Sequence, residues 1–178
     1  MLDPSLLDDW AASRPLLQFL YRHIRRTKPQ LILECGSGLS TVIMAEALRR
    51  NGTGNLVSLE HHVLFYDRNC RLLIEHGLDA WASIRFAPLR NGWYDAELPE
   101  GFIDLMLVDG PPGAALRYPA LSKVNGRVGM VVLDDANREG EREVLARWQA
   151  QYPEYQLELI PHPRGTAVLT PLTVRAAT

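Results

Sequence analysis

Leu31-Ile32-Leu33-Glu34-Cys35-Gly36-Ser37-Gly38-Leu39-Ser40-Thr41 is the stretch on which the fold turns. Apolar residues able to form a buried strand run into a carboxylate, glycines follow at alternate positions, and a helical pattern opens at Ser40. Strand, tight turn and helix in this order present main-chain N–H groups and a helix N-terminus to a polar ligand. Glycine suits such a turn because a Cβ would collide with a ligand lying on the main chain, or strain a residue at positive φ. The turn therefore reads as the seat of a nucleotide-like molecule. A full dinucleotide fingerprint would carry a third glycine three positions after the second, where this chain has Thr41, so a turn that is merely tight stays open on this stretch alone.

The segments on either side extend the pattern. After the turn, 41–50 reads as a helix stopped by Asn51-Gly52, and Leu56-Val57-Ser58-Leu59-Glu60 as a second strand ending in an acid. A helix over 63–76 follows, then a third strand over 82–87. Ile103-Asp104-Leu105-Met106-Leu107-Val108 is a fourth strand running into Asp109-Gly110-Pro111-Pro112-Gly113, where the prolines force a fixed loop. A fifth strand, 128–133, ends in Asp134-Asp135, and 141–151 is helical. Strands alternating with helices and lacking hairpin signals imply right-handed parallel crossovers. The ending differs: 155–160 and 166–169 are strands separated only by Pro161-His162-Pro163-Arg164-Gly165, which leaves no room for a helix and predicts an antiparallel pair. The fold class is thus α/β, a Rossmann-like, doubly wound, mainly parallel seven-stranded sheet with an antiparallel hairpin edge and helices on both faces.

Before the turn, 5–27 shows helical spacing of Leu6, Leu7 and Trp10, then of Leu16, Leu17, Phe19, Leu20 and Ile24, with Pro15 in the first turn of the second helix. The single domain divides into an N-terminal helical cap, 1–29, and a Rossmann-like core, 30–178. Nineteen basic and twenty-one acidic residues leave a net charge of −2, so no long-range field draws in a phosphate backbone and nucleic acid is not expected as a partner. The start Met1-Leu2-Asp3-Pro4 lacks a basic-then-apolar leader, and no apolar run reaches membrane-spanning length. A cytoplasmic protein with no membrane partner is expected. Cys35 and Cys70 show no metal-ligand spacing and no disulfide framework.

Together these segments resemble a class I S-adenosylmethionine-dependent methyltransferase, from about Leu31 onward. Glu34-Cys35-Gly36-Ser37-Gly38 resembles that family's first motif, and Leu59-Glu60 the acidic strand end that holds the ribose hydroxyls. Val108-Asp109-Gly110-Pro111-Pro112-Gly113 with Arg117-Tyr118-Pro119-Ala120-Leu121 resembles a subgroup of small methyltransferases of O-methyltransferase type. Ser40 stands where the family commonly has a third glycine, and its hydroxyl could still bind the cofactor's carboxylate. The Asn/Asp-Pro-Pro-aromatic motif of adenine and glutamine N-methyltransferases is absent, since Gly110 follows Asp109.

The resemblance implies S-adenosylmethionine as cofactor, seated on Gly36, Ser37, Gly38, Ser40 and Thr41. Glu60, at the tip of the second strand, could accept both ribose hydroxyls. Glu34 either fixes the turn through main-chain N–H groups or reaches the cofactor's ammonium through water. His61 could stack or hydrogen bond beside the ribose, although paired histidines at a helix start also serve as caps or surface residues; neither His61 nor His62 is expected to catalyse. Leu89 would wall the adenine pocket, and Trp93 and Tyr94 would overhang the same edge, as packing or as substrate contacts. Asp109 could orient the substrate, act as base or join a metal site. Asp109, Asp134 and Asp135 could together hold Mg²⁺, as in catechol-type O-methyltransferases, although the lysine those enzymes place after the fourth-strand acid is missing. Capping of the next helix is the alternative duty for Asp134 or Asp135. Arg117 would clamp an anionic substrate or pair with these acids.

The expected activity is methyl transfer to a small-molecule acceptor, to oxygen rather than nitrogen (EC 2.1.1.-). A nicotinamide-dependent oxidoreductase and a non-catalytic S-adenosylmethionine-binding regulatory subunit are the alternatives. With no large insertion to roof the substrate, a second copy of the chain could supply the roof as a homodimer.

Overall fold

The computed structural model describes residues 12–172. The first of the two N-terminal helices, with Leu6, Leu7 and Trp10, lies outside the described residues. The elements in order are α1 (Arg14–Thr27), β1 (Leu31–Cys35), α2 (Leu39–Asn51), β2 (Asn55–Glu60), α3 (Val63–Glu75), β3 (Ala82–Phe86), β4 (Leu89–Arg90), β5 (Trp93–Tyr94) and β6 (Ile103–Val108). There follow α4 (Ala114–Arg117), α5 (Ala120–Val124), β7 (Val128–Asp134), α6 (Glu139–Gln151), β8 (Tyr155–Ile160) and β9 (Thr166–Pro171). Among the described residues no helix is long and apolar enough to cross a membrane.

Seven strands form one sheet in the order β3-β2-β1-β6-β7-β9-β8, with β1, β2, β3, β6 and β7 parallel. β9 runs antiparallel between β7 and β8, so the expected terminal hairpin is present, with the last strand inserted and the one before it at the edge. The central strands read as continuous apolar runs because both faces are covered. Alternation sorts them. Ile32, Leu56, Leu105, Leu107 and Val168 face a core shared with α1, α2 and Leu73 of α3, whereas Leu33, Leu59, Met106, Val108 and Leu169 face one shared with α5, α6 and the β4–β5 ribbon.

The helix α1 opens at Ser13, whose hydroxyl accepts the Leu16 N–H at 3.4 Å, and buries Leu16, Leu17, Leu20 and Ile24 in the same core as α2. It therefore packs along one face of the sheet. The stretch after β3 contains the short antiparallel pair β4–β5, which buries Trp93 and Tyr94. The short helices α4 and α5 lack enough turns to show a periodic pattern in sequence.

Candidate active site at the strand tips

From β1 the chain moves outward to β2 and β3, and then returns to place β6 on the other side of β1. Open α/β sheets bind ligands where the strand order reverses, at the carboxyl ends of the strands. A cavity of about 610 Å³ lies there, bordered by Gly36, Ser37 and Gly38 after β1, Glu60 at the end of β2, and Asp109 and Gly110 after β6. The volume is in the range of small-molecule and cofactor sites.

Two glycines make this meeting of turns workable. Gly36 has φ +98°, a conformation other residues rarely adopt, and a Cβ on Gly110 would come within 2.5 Å of the Tyr94 hydroxyl and 3.2 Å of the Gly36 Cα. The turn after β1 and the turn after β6 thus touch main chain to main chain. The Gly36 N–H donates to Leu59 O at 2.9 Å and the Gly38 N–H to Thr41 Oγ1 at 2.9 Å. The turn therefore contributes close approach of the main chain more than the full set of donors expected from the sequence.

Glu34 sits beneath the turn, not in the cavity. Its carboxylate accepts the hydroxyls of Ser40 (2.5 Å), Thr41 (2.6 Å) and Ser58 (2.5 Å), binding β1 to the start of α2 and to β2. It does so through side-chain hydroxyls, not through the main-chain N–H groups expected, and Ser40 and Thr41 are spent on it. Neither Ser40 nor Thr41 borders the cavity, where cofactor contacts were expected of them, and Glu34 keeps the turn-fixing one of its two expected roles.

Burial pushes the Glu34 pKa up to about 7 despite these three donors, and the Glu60 charge adds to the rise. A carboxyl whose pKa rises on folding stabilises the fold fully below its ordinary value of 4.5, and that contribution is lost as pH climbs through about 7. Glu34→Gln titrates nowhere, so it gains on the wild type by up to about 3 kcal/mol between about pH 5 and pH 8. Thermal melts of both proteins at the two ends of that range check this; a constant gap would refute it.

Glu60 lies on the cavity wall, 3% exposed. One oxygen accepts the Ser37 hydroxyl at 2.8 Å and the other the His62 N–H at 2.8 Å, with His61 Nδ1 at 3.3 Å. Asn69 of α3 donates to the Ser37 hydroxyl at 2.9 Å, extending the chain to a residue that nothing in the sequence singled out. His61 borders the cavity, its ring 6.3 Å from that of Tyr94. His62 occupies the N-cap position of α3 without a side-chain capping bond. Leu89 does not border the cavity: it pairs with Tyr94 across the β4–β5 ribbon and packs into the core, so it forms no wall of it. Trp93 is packed, whereas Tyr94 both packs and borders the cavity, its hydroxyl buried with no hydrogen-bond partner.

At the other end, Asp109, Asp134 and Asp135 converge as expected, each offering an oxygen within 4.8 Å of the others. Neither Asp134 nor Asp135 caps α6, whose N-cap is Arg138. Guanidinium groups hold the acids instead. Arg117 Nη1 lies 3.6 Å from Asp135 and 3.1 Å from Glu141, and its Nη2 3.9 Å from Asp109. Its N–H groups also donate to the carbonyls of Pro111, Asp109 and Asp134. With its side chain 4% exposed, Arg117 is a buried hub that pairs with the acids, the second of its expected roles, and it borders the cavity as well. Burial, and next the Asp134 charge, hold the Asp109 carboxyl well above its ordinary range, with Arg117 opposing.

A sheet of this order, closed by an antiparallel inserted strand and bearing its cavity at the switch between β1 and β6, is the architecture of the class I S-adenosylmethionine-dependent methyltransferases. The chain belongs to that group: a family model described as "Methyltransferase domain" matches residues 33–136. The alternative of a nicotinamide-dependent oxidoreductase gives way to this match and to the inserted final strand. No curated protein matches the sequence. Among solved structures, a putative O-methyltransferase from Klebsiella pneumoniae is 19% identical with a TM-score of 0.78, over 96% of this chain and 91% of that one. The O-methyltransferase TomG from Streptomyces achromogenes, involved in tomaymycin synthesis and solved with SAM, is 18% identical with a TM-score of 0.72, over 93% and 83%. An O-methyltransferase from Bacillus cereus solved with SAH is 16% identical with a TM-score of 0.71, over 93% and 85%. These likenesses are likenesses of fold.

Proposed function

We propose that the chain transfers a methyl group from S-adenosylmethionine to an oxygen of a small-molecule acceptor. The observation that carries this reading is the placement of Gly36, Glu60 and Asp109 around one cavity at the switch point of the sheet. The residues present fit the cofactor: Glu60 keeps lone pairs beyond the bonds from Ser37 and His62, enough for two ribose hydroxyls. When bound, the cofactor supplies a methyl group on a sulfonium.

Most of the chain's work is positioning, because a displacement needs the acceptor held in line with the breaking bond. Asp109, on the cavity wall with its proton affinity raised, is the group placed to take the proton of an acceptor hydroxyl. Choice of oxygen draws support from the O-methyltransferases that share the fold. The exposed strip Val63, Leu64 and Phe65, beside the cavity, is where a second copy of the chain would supply a roof.

Calorimetric titration with S-adenosylhomocysteine tests the reading, and absence of binding would overturn it. A buried hydroxyl left without a partner at a cavity wall is available to a ligand, so the same titration on Tyr94→Phe gives an affinity lower by about fivefold. An unchanged affinity would assign Tyr94 to packing alone.

A further inference from the structure

A divalent cation on Asp109, Asp134 and Asp135 is what a catechol-type relative would hold, and the residues around these acids do not fit one. Mg²⁺ demands a near-octahedral shell of oxygens and keeps several waters in it, so the space around its carboxylates has to be open and electronegative. Here Asp135 alone meets three guanidinium groups: Arg138 Nη1 at 2.9 Å, Arg164 Nε at 3.3 Å and Arg117 Nη1 at 3.6 Å. Asp134, fully buried and absent from the cavity wall, is met by Arg164 Nη2 at 3.4 Å, and Asp109 by Arg117. One oxygen of Asp134 has no hydrogen-bond partner, but of the three acids only Asp109 and Asp135 border the cavity. Three arginines thus face the three acids, and Arg117 also meets a fourth, Glu141.

We infer that Arg117, Arg138 and Arg164 take the place of a divalent cation in this chain, neutralising the three acids from within the fold and making the cation unnecessary for the site to assemble. The three come from unrelated places: Arg117 ends α4, Arg138 precedes α6, and Arg164 sits in the β8–β9 turn. Arg117 is immobilised by three carbonyls and Glu141, whereas the Arg138 and Arg164 side chains are 56% and 30% exposed. Guanidinium, weakly hydrated and with donors in a fixed fork, suits this partly buried pairing better than an ammonium would. The inference rests on the methyltransferase reading of the cavity only for the choice of cation; the charge pairing stands by itself.

The test is titration of the full chain with Mn²⁺, followed by calorimetry and by the loss of free-ion paramagnetic resonance signal, with S-adenosylhomocysteine titrated in the same series. The wild type is expected to take up no Mn²⁺ below about 1 mM. The double variant Arg138→Gln/Arg164→Gln, which removes two positive charges within 4 Å of the acids, is expected to bind Mn²⁺ at least about tenfold more tightly. Adding Asp134→Asn to the double variant should abolish the gain. Micromolar Mn²⁺ binding by the wild type, or a folded double variant that gains nothing, overturns the inference. Should the double variant not fold, Arg138→Gln, altering the most exposed of the three, gives the same reading with a smaller gain. Failure of S-adenosylhomocysteine to bind any of these proteins would instead overturn the cofactor assignment and leave the arginine inference to its own result.

Discussion

Glu60→Ala is expected to weaken S-adenosylhomocysteine binding by about a hundredfold. A carboxylate that accepts two ribose hydroxyls loses two charge-assisted hydrogen bonds on truncation, about 3 kcal/mol in all, and every 1.4 kcal/mol is tenfold in affinity. Glu60 is suited to this effect because its position is set before any ligand arrives: Ser37 holds one oxygen, the His62 N–H the other, and Asn69 holds Ser37. Glu60→Gln keeps one carbonyl acceptor and should fall between the wild type and Glu60→Ala. Calorimetry reads the affinities, and a circular dichroism melt verifies that the variant is folded. An affinity within twofold or so of the wild type would remove Glu60 from the ribose site.

The largest effect on stability is expected at Arg117. Arg117→Gln removes the only guanidinium that touches Glu141 and Asp109 among the described ion pairs, and it leaves the Asp109, Asp134 and Pro111 carbonyls short of a donor. Removing one partner of a buried charge network costs about 3–5 kcal/mol, because the remaining charges stay out of water without compensation. For a domain of this size that is a fall in melting temperature of about 10 °C. Arg117→Lys should rescue little of it, since an ammonium lacks the fixed fork of donors that serves three carbonyls and three carboxylate groups. A melt shifted by less than about 2 °C would show that Arg117 is bystander to the fold.

The contrast between these residues shows what kind of information each position carries. Glu60 was legible in sequence because it stands where an apolar strand ends, and strand ends at the carboxyl edge of a parallel sheet are where ligands meet the chain. The same logic placed Gly36, Ser37, Gly38 and Asp109, all of which border the cavity. Leu89 was misplaced because the chain after β3 turns back on itself in a two-residue ribbon too short to leave a pattern. Glu34 was half read. Its place under the turn followed from the motif, but its partners Ser40, Thr41 and Ser58 depend on β1, α2 and β2 packing side by side. Asn69 gave no signal, since an asparagine on a helix is commonplace until a neighbouring turn closes over it.

By itself the sequence determined the succession of strands and helices, the antiparallel final hairpin and the strand-tip carboxylates, because main-chain hydrogen bonding imposes fixed periods that apolar residues must match. Only the tertiary structure decided which cations meet the acids. Asp134 and Arg164 are 30 residues apart, and Arg117 and Glu141 are joined across two helices. Charge pairing has no period along the chain; it depends on where the β8–β9 turn and the ends of α4 and α6 come to rest once the two cores have packed.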